Sequence, residues 1–482
     1  MKKIRTRFAP SPTGFMHLGG MRTALYNYLF TKSQGGDFIL RIEDTDRERF
    51  VEGATEVIYS SLKQGNMIYD EGPDIGGNYG PYIQSERMAL YQKYALELIE
   101  KGGAYYCFCS KERLESLTDE NGNRKYDKHC LKLSKEEVET RLKNGESYVI
   151  RQNIPTEGTS VYEDLIYGTI SIENQELEDN ILIKSDGMPT YNFANVIDDH
   201  LMEISHVIRG TEYLSSTPKY NFMYDAFGWE RPTYIHLPVI MKDATRKLSK
   251  RYGDANFDDF TKKGFLPEAI INYIALLGWS PKENVEKMSM EEMIKLFSLD
   301  GISKSPSIFD EVKLRWLNSE YIKSLDDETY YNVAMPFLQK SSVYGKYDSK
   351  LMLSLLKTRI EALGEIPEKL AFLDDFTDYD TMLFCHKKMK TDEALSLQVL
   401  PLVIDTLNNC EWTHDGIHDS LINLATNNGY KNGQILYPAR IALTGKESTP
   451  GGAIEMCLLL GKEESLRRIN HSIFLLKAKL GV

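Results

Sequence analysis

The N-terminal part of the chain has a pattern of hydrophobic and polar positions that predicts a strand, a helix and a second strand in turn. Residues 3–8 read as a short strand, which the following Pro/Gly loop must end. From His17 onward apolar residues recur at helical spacing, including Leu25 and Leu29, and a pair of glycines ends the helix. Residues 37–43 are apolar in the middle, as is typical of a buried parallel strand. This order predicts a βαβ unit, from which doubly wound α/β domains are built.

The pattern changes twice along the rest of the chain. Residues 82–102 predict an amphipathic helix, and the segment 104–185 mixes paired cysteines, a charged helix and alternating strands, which we interpret as an insertion. The α/β signals then return, with a helix predicted across 217–228 and a strand across 233–240. From about residue 325 to the end, apolar residues recur at helical spacing with few strand signals, which predicts an all-helical module.

Composition limits what such a chain can do. Hydrophobic residues make up 42% and charged residues 27% of the 482 positions, a balance typical of globular proteins. The net charge of -12, from 58 basic and 70 acidic residues, excludes a protein that coats DNA or RNA by bulk charge but permits a local basic groove. Six cysteines are too few for a disulfide framework, so we expect a reducing, cytoplasmic location. The best apolar run, 269–279, is short and interrupted by Asn272, so no membrane span is expected.

The loop between the first strand and the first helix is the first candidate for chemistry. It reads APSPTG and leads into His17, Gly19 and Gly20 at the start of the helix. A helix N-terminus favours phosphate, and glycines let adenine or ribose approach the backbone. His17 can donate to a triphosphate oxygen, or it serves only as a cap of the helix. The P-loop and dinucleotide glycine motifs are both absent, which disfavours a P-loop NTPase and a dinucleotide dehydrogenase.

A second candidate is the basic run KLSKR at residues 247–251. Four of its five side chains can donate hydrogen bonds to phosphate, and Gly253 behind it indicates a loop. Taken alone, such a run is most simply a solvated charged segment. Together, however, the His-x-Gly-type loop after the first strand and the later Lys-x-Ser-Lys resemble the two signatures of class I aminoacyl-tRNA synthetases.

Longer stretches narrow this resemblance to the bacterial glutamyl-tRNA synthetase family. The stretches are RFAPSPTGFMHLGGMRTALYNYLF, FILRIEDTDRERF, PTYNFANVIDDHLMEISHVIRGTEYLSSTPK, KLSKRYGD, LPEAIINYIALLGW and YPARIALTGKESTPGG. The resemblance implies an α/β fold with a Rossmann-like catalytic domain and a helical anticodon-binding region. It divides the chain into a catalytic domain (1–103 and 186–255), an inserted acceptor-stem-binding domain (104–185), a stem-contact region (256–325) and an anticodon-binding region (326–482).

The resemblance also implies a reaction. L-glutamate, ATP and tRNA(Glu) would be the substrates, and glutamyl-adenylate would form before transfer to the 3'-terminal adenosine releases AMP. Attack of a carboxylate on the α-phosphate concentrates negative charge, so the site needs fixed donors and cations rather than a nucleophile. The expected catalytic residues are His17, Lys247 and Lys250, with Mg²⁺ sharing the charge, and the expected ATP contacts are His17, Gly19, Gly20 and Lys250. The family is usually monomeric, and neither a membrane nor DNA is an expected partner.

The glutamate pocket of the family falls on Arg7, Ser11, Glu43, Tyr191, Asn195 and Arg209. Glu43 is the expected partner of the substrate ammonium, and Arg209 of its side-chain carboxylate, with a hydroxyl from Tyr191. Arg7 is expected on one of the two carboxylates, because a guanidinium stays charged and binds a carboxylate through two parallel bonds. Taken singly, either arginine would more simply form a structural ion pair, Arg209 with an acid such as Glu212.

Three cysteines close together in the sequence, Cys107, Cys109 and Cys130, predict a zinc site. Zinc prefers four tetrahedral nitrogen or sulfur ligands, and the chain leaves the fourth open. Tyr126 matches a ligand position in related sequences, and His129 adjoins the last cysteine. The alternative is three reduced cysteines in the small core of the insertion.

Other interpretations share parts of the pattern. Glutaminyl-tRNA synthetases have the catalytic motifs, but their anticodon-binding part is of β-barrel type and their pocket lacks the arginine found at Arg209. The short glutamyl-queuosine enzymes lack the tail. A catalytically inactive tRNA-binding module would not need His17, Glu43 and Lys250 intact. Whether tRNA(Gln) is charged as well stays open.

Overall fold

The computed structural model of the chain describes residues 3–46, 51–117, 125–248, 256–374 and 376–482. The chain divides into two compact units, the first formed by Met1–Thr261 with Pro267–Lys313 and the second by Lys262–Leu266 with Leu314–Val482. Within the described ranges no helix has both the length and the hydropathy that crossing a bilayer requires.

Strands occur in the first unit. They are β1 (Arg5–Phe8), β2 (Asp37–Leu40), β3 (Ala104–Cys107), β4 (Val149–Gln152), β5 (Thr159–Asp164), β6 (Gly168–Glu173), β7 (Ile181–Ile183), β8 (His206–Gly210), β9 (Thr233–Leu237), β10 (Ile240–Met241) and β11 (Ser307–Ile308). The helices in chain order up to residue 324 are α1 (Leu18–Ser33), α2 (Ala54–Gln64), α3 (Met88–Glu100), α4 (Lys111–Ser116), α5 (Lys135–Lys143), α6 (Tyr191–Leu201), α7 (Thr217–Phe227), α8 (Phe257–Lys262), α9 (Pro267–Leu276), α10 (Met290–Leu296) and α11 (Glu311–Ser324).

The predicted βαβ unit is present at the N-terminus. β1 and β2 are parallel neighbours, and α1 connects them. The turn after α1 needs Gly36, because a Cβ there would lie 2.2 Å from the carbonyl oxygen of Ile4. The backbone N–H of Ser205 donates to the oxygen of Arg5 at 3.0 Å, so the chain entering β8 lies beside β1. β8 and β9 are parallel as well. The carboxyl ends of β1 and β8 therefore open toward the same edge, where open α/β sheets bind their ligands.

Three predicted boundaries were wrong. The second strand, predicted over 37–43, ends at Leu40. The helix predicted from residue 82 begins at Met88, after a short 3₁₀ turn at Gln84–Arg87. The turn points Gln84 and Arg87 at Asp198, with donor–oxygen distances of 2.9 and 2.7 Å, a geometry that a continuing α-helix would not keep. The strand predicted across 233–240 stops at Leu237, because Pro238 has no N–H to donate to a ladder.

The segment 104–185 contributes to two sheets. β3, β4 and β7 form an antiparallel sheet of their own. β5 and β6 form a hairpin that joins β9, so these strands stand in the order β6-β5-β9-β8. The register between β5 and β9 rests on one pair, Asp164 opposite Tyr234.

The second unit is helical, as predicted, in the part of it that the structure describes. After α11 its helices are α12 (Asp327–Leu338), α13 (Ser349–Leu356), α14 (Ile366–Leu370), α15 (Glu393–Asn409), α16 (His414–Asn427), α17 (Asn432–Thr444) and α18 (Ala453–Leu480), the last with a kink at Gly461. Buried apolar side chains such as Val403, Ile441 and Leu476 line its core. These helices have apolar faces to bury, and packing those faces together stabilises the unit.

Candidate active site

A cavity of about 840 Å³ opens at the carboxyl ends of β1 and β8. The predicted glutamate-binding residues Arg7, Ser11, Glu43, Tyr191 and Arg209 all line it, as does Gly20 of the predicted ATP loop. These residues come from segments separated by more than a hundred positions in the chain, and the sheet topology is what brings them together. The edge of the parallel strands is thus where the predicted pocket residues meet.

Buried arginines and carboxylates form a continuous network at the cavity. Nε of Arg7 and Nη1 of Arg41 both donate to Oδ1 of Asp199, at 3.0 and 2.8 Å. Nη2 of Arg41 donates to Oε1 of Glu43 at 3.0 Å. Each of the four side chains is at most 5% exposed. The network therefore fixes both Arg7 and Glu43 before any ligand binds.

Glu43 is poised between its two protonation states. Burial raises the pKa of Glu43 to about 7, although the positive charges of Arg41 and Arg7 pull it down. The carboxyl group is therefore partly neutral near neutral pH. A cation placed beside it favours the charged form, so binding of an ammonium group and loss of the Glu43 proton support each other.

Arg209 is a buried cation with neutral partners. Only 6% of it is exposed. Nε donates to Nε2 of His236 at 3.2 Å, and Nη2 donates to Oγ1 of Thr217 at 2.8 Å. The rings of Tyr213 and Tyr220 lie 4.8 and 4.6 Å from its Cζ atom.

No ion pair of Arg209 occurs among the residues that the structure describes, and the ion pair with Glu212 that would make it purely structural is not formed. Nη1 of Arg209 likewise makes no hydrogen bond to a described residue. A buried charge without a counter-charge is costly, so this side of the cavity calls for an anionic ligand.

Tyr191 and Asn195 lie one turn apart on α6, with different surroundings. Tyr191 lines the cavity, and its ring centre is 5.5 Å from that of Tyr213. Burial raises the pKa of Tyr191, so its hydroxyl group stays protonated and can donate. Asn195 is 2% exposed, is not part of the cavity wall, and its Nδ2 donates to the oxygen of Tyr191 at 2.7 Å. Contact of Asn195 with glutamate stays a prediction.

His17 caps α1, which is one of the two roles that the sequence left open, and its contact with a triphosphate stays a prediction. Its Nδ1 accepts from the N–H of Gly19 at 3.0 Å and so caps α1. A neutral imidazole that accepts at Nδ1 carries its proton at Nε2, which leaves that nitrogen as a donor. A Cβ on residue 19 would lie 3.2 Å from this Nδ1, so Gly19 gives the cap its room.

The basic run is described only in part. Lys247 is exposed and pairs with Met241 in a short backbone bridge. Lys250, the other predicted catalytic lysine, lies outside the described residues. Where the described chain resumes, Asn256 forms a bridge with His17, and the N–H of Phe257 donates to the oxygen of Met16 at 3.0 Å. The segment that follows the basic run is thus tied to the loop of His17.

The three predicted cysteines lie together at the end of β3. The sulfur atoms of Cys107, Cys109 and Cys130 are all within 4.8 Å of one another. The hydroxyl oxygen of Tyr126 lies 3.2 Å from the sulfur of Cys107 and 3.5 Å from that of Cys109. His129 does not join the cluster.

The donor set of this cluster fits zinc. Four ligands at zinc–sulfur distances of about 2.3 Å need neighbouring ligand atoms to lie within about 4 Å, which the cluster approaches. Nε of Arg151 donates to the sulfur of Cys107 at 3.3 Å, and hydrogen bonds, first from Cys130, lower the pKa of Cys107 toward the thiolate that binds metal. The same side chains also pack as a small apolar core with Tyr105, which is the alternative.

Several buried residues that hold the cavity's side chains in place were not predicted from the sequence. Arg41 and Asp199 build the network, while Thr217 and His236 hold Arg209. Arg41 stands in the middle of the apolar stretch FILRI, and Asp198 with Asp199 interrupts a buried helix. Charged residues at such positions need buried partners, a signal that could have paired them.

Family models match both units. The model of tRNA synthetases class I (E and Q), catalytic domain, matches residues 3–316, and that of an anticodon binding domain matches residues 313–473. The α/β fold with a helical C-terminal region, predicted from the sequence, is thereby confirmed.

Curated relatives match the chain along its whole length. A glutamate–tRNA ligase of Lachnoclostridium phytofermentans is 57% identical and covers 100% of both chains, and one of Clostridium novyi is 55% identical over 99% of each. A crystal structure of a glutamate tRNA ligase from Elizabethkingia meningosepticum, in complex with its amino acid, is 36% identical with a TM-score of 0.88 and covers 98% of this chain and 99% of its own. The chain belongs to the glutamate–tRNA ligase family of class I tRNA synthetases.

Proposed function

We propose that the chain attaches L-glutamate to tRNA(Glu) in an ATP-dependent reaction through glutamyl-adenylate. The observation that carries this proposal is Arg209, a buried guanidinium at a cavity wall whose described partners are all neutral. The names of the relatives agree with it. An amino acid with a carboxylate side chain supplies the missing anion, and its ammonium group suits Glu43.

The charges of the cavity match glutamate as a whole. Arg7, Arg41 and Arg209 bring three positive charges, and Asp199 with ionised Glu43 brings two negative ones. These buried charges place cations for the two carboxylates of glutamate and an anion for its ammonium. In the proposed pose Arg209 binds the side-chain carboxylate, and the hydroxyl group of Tyr191 donates a hydrogen bond to it. Glu43 binds the ammonium, and Arg7 contacts one of the two carboxylates.

The first step forms glutamyl-adenylate. An oxygen of the α-carboxylate attacks the α-phosphorus of ATP, and the bond to pyrophosphate breaks. His17 and the N-terminus of α1 hold the phosphates, while Lys250 and Lys247 stabilise the charge that builds up. Mg²⁺, when bound, shares the neutralisation of the phosphates. The Asn256–His17 bridge supports this assignment, because it ties the segment after the lysines to the loop.

The second step moves the glutamyl group to a hydroxyl of the 3'-terminal adenosine and releases AMP. We assign acceptor-stem binding to 104–185, stem contacts to 256–325 and anticodon binding to 326–482. The family matches at 3–316 and 313–473 support only the separation of a catalytic part from an anticodon-binding part. We expect a monomer that works in the cytoplasm. Because the chain is acidic overall, its tRNA contacts should be local and weaken with salt.

Aminoacylation by the purified protein tests the proposal. Glutamate should be transferred to tRNA(Glu) with release of AMP, and glutamine should not be a comparable substrate. Parallel reactions with tRNA(Gln) show whether it is charged as well. Lys250→Ala should lower the rate about 10²–10³-fold while Lys250→Arg retains part of it. Binding of tRNA without any transfer of glutamate would identify an inactive tRNA-binding module instead.

We also propose that Cys107, Cys109, Cys130 and Tyr126 hold one zinc ion, which would fix the ends of β3 and of the loop at Tyr126. Elemental analysis of protein purified without added metal should give about one zinc per chain, and Cys107→Ser should remove it. Cys385→Ser, in the second unit, is the matched control. A protein that is free of zinc and fully active would favour the small reduced core.

A further inference from the structure

Behind Arg209 lies a buried pair that takes no part in the steps above. His236 is in β9, and Asp164 ends β5; neither side chain is exposed. Oδ2 of Asp164 accepts from the backbone N–H of His236 at 3.0 Å and lies 2.7 Å from its Nδ1. Oδ1 accepts from the N–H groups of Ile166 and Tyr167, both at 2.9 Å. Both oxygens of Asp164 thus act as acceptors toward backbone N–H groups, and the oxygen that faces Nδ1 of His236 accepts there as well, so Nδ1 carries the ring proton.

This arrangement decides what His236 offers to Arg209. Burial lowers the pKa of His236, so the ring is neutral and its single proton is already on Nδ1. Nε2 therefore has a free lone pair, and it accepts from Nε of Arg209 at 3.2 Å. The hydroxyl of Thr217 does not compete for it, because it donates to the oxygen of Tyr213 at 2.8 Å and accepts from Nη2 of Arg209.

Nε and Nη2 of Arg209 are thus fixed by neutral acceptors, and Nη1 is the nitrogen that we assign to the ligand. A carboxylate in the place of His236 would orient the guanidinium equally well, but it would also cancel its charge. Glutamine would then fit nearly as well as glutamate, since the two differ by a charged oxygen replaced by an amide. A neutral acceptor orients the cation and leaves its charge to the ligand.

We propose that Asp164 and His236 are positioning residues for amino-acid selection: they orient Arg209 without neutralising it and so set the preference for glutamate over glutamine. This inference rests on the proposed function of the cavity. Asp164 acts through the tautomer of His236, and His236 acts through the direction of Arg209. Neither residue needs to touch the substrate.

Two amide variants at residue 236, which differ in length by one methylene group, separate the positioning role from simple structural support. In His236→Gln the amide oxygen can take the place of Nε2 and accept from Arg209. In His236→Asn the amide reaches only the place of Nδ1, so the bond to Asp164 is kept and that to Arg209 is lost. We expect His236→Asn to raise the KM for glutamate about tenfold without raising the inhibition constant of glutamine, as the loss of one bond to a charged group predicts. His236→Gln should stay within about threefold of the wild type.

Asp164→Asn is the third variant, and the KM for ATP and the melting temperature are measured for all three. An amide at residue 164 keeps its oxygen toward the N–H groups of Ile166 and Tyr167 and turns its NH2 toward Nδ1 of His236, so the ring proton shifts to Nε2 and opposes Arg209. Asp164→Asn should therefore match His236→Asn in the KM for glutamate, with the KM for ATP unchanged.

Two results would overturn the inference. One is an equal effect of His236→Gln and His236→Asn. The other is an unchanged ratio of the KM for glutamate to the inhibition constant of glutamine in both His236→Asn and Asp164→Asn. Arg209→Ala separates this failure from that of the proposed function. If Arg209→Ala raises this ratio while the other variants do not, only the role of the pair is wrong. If the wild type does not use glutamate, the proposed function itself fails.

Discussion

Arg41 and Arg209 are two buried arginines of the same unit that differ in the charges around them. Arg41 is fully buried, and its guanidinium contacts Asp199 and Glu43 at 2.8 and 3.0 Å, with Asp198 at 3.8 Å. Arg209 is buried almost as deeply, yet its described hydrogen bonds go to a neutral histidine and a hydroxyl. Burial alone therefore does not mark an arginine as a ligand contact. What distinguishes a ligand contact is that the described residues around it provide no counter-charge.

Asp198 is a buried carboxylate whose partners are all protein side chains. Its two carboxylate oxygens accept from Arg87 at 2.7 Å, from Gln84 at 2.9 Å and from Tyr91 at 2.8 Å. Buried polar groups with this many partners stabilise one arrangement of the core. Asp198 and its partners form a closed network of protein groups, whereas Glu43 and Arg209 at the cavity are completed by the proposed ligand.

Arg41→Met should produce the largest change, a decrease in the free energy of unfolding. Removal of the guanidinium leaves Asp199 and Glu43 with less counter-charge, and breaking a buried pair in this way typically costs about 3–5 kcal/mol. Denaturant unfolding measures the loss as a lower midpoint at constant slope. A variant of wild-type stability would mean that Arg41 is not the centre of the network.

Arg209→Met should give the opposite pattern. With no protein carboxylate left behind, the free energy of unfolding should stay close to that of the wild type. The kcat/KM for glutamate should fall about 10²–10³-fold, since the substrate carboxylate loses its buried partner, and the preference over glutamine should narrow. Aminoacylation kinetics and the melting temperature are measured together. Loss of stability with an unchanged preference would return Arg209 to a structural role.

The pH dependence of glutamate binding tests the link between the two regions at Glu43. Its pKa of about 7 means that the carboxyl group is mostly protonated at pH 6 and mostly ionised at pH 8. Only the ionised form pairs with an ammonium, so the KM for glutamate should fall about tenfold as the pH rises over this range. Glu43→Gln should have a higher KM that no longer changes with pH. A flat wild-type profile would place the ammonium elsewhere.

Tyr91→Phe should produce the smallest change. It removes one hydrogen bond to Asp198, which still has Arg87 and Gln84, so unfolding should become easier by about 1 kcal/mol. The kcat/KM for glutamate should not change. A clear loss of activity would show that the closed network and the cavity are coupled more tightly than their contacts suggest.

Local patterns explain what could be predicted from the sequence. The βαβ unit and the helical second unit follow from apolar spacing and from glycines at their ends, and these signals lie within a few neighbouring residues. The pocket positions Arg7, Glu43, Tyr191 and Arg209 came from motif resemblance, and they line one cavity. Their roles stay proposals.

The partners of these residues could not be found in the same way. Asp199 is 158 positions from Arg41, and Asp164 is 72 positions from His236. A buried pair at such separations leaves no periodic trace, and each member alone is only a charged residue in an unexpected place. The attachment of β5 to β9 was missed for the same reason, because a single paired position leaves no pattern in either strand.

The pairing of Asp164 with Tyr234 has a consequence for anyone who exchanges parts between relatives of this chain. Residues 104–185 look like a cassette, but the cassette carries the carboxylate that sets the proton on His236. With the role proposed for Asp164, a chimera whose graft lacks an acid at residue 164 would change its amino-acid preference as well as the acceptor-stem contacts proposed for this segment. A graft that replaces residues 104–185 should therefore keep an aspartate at residue 164, whatever the other residues of the exchanged segment are.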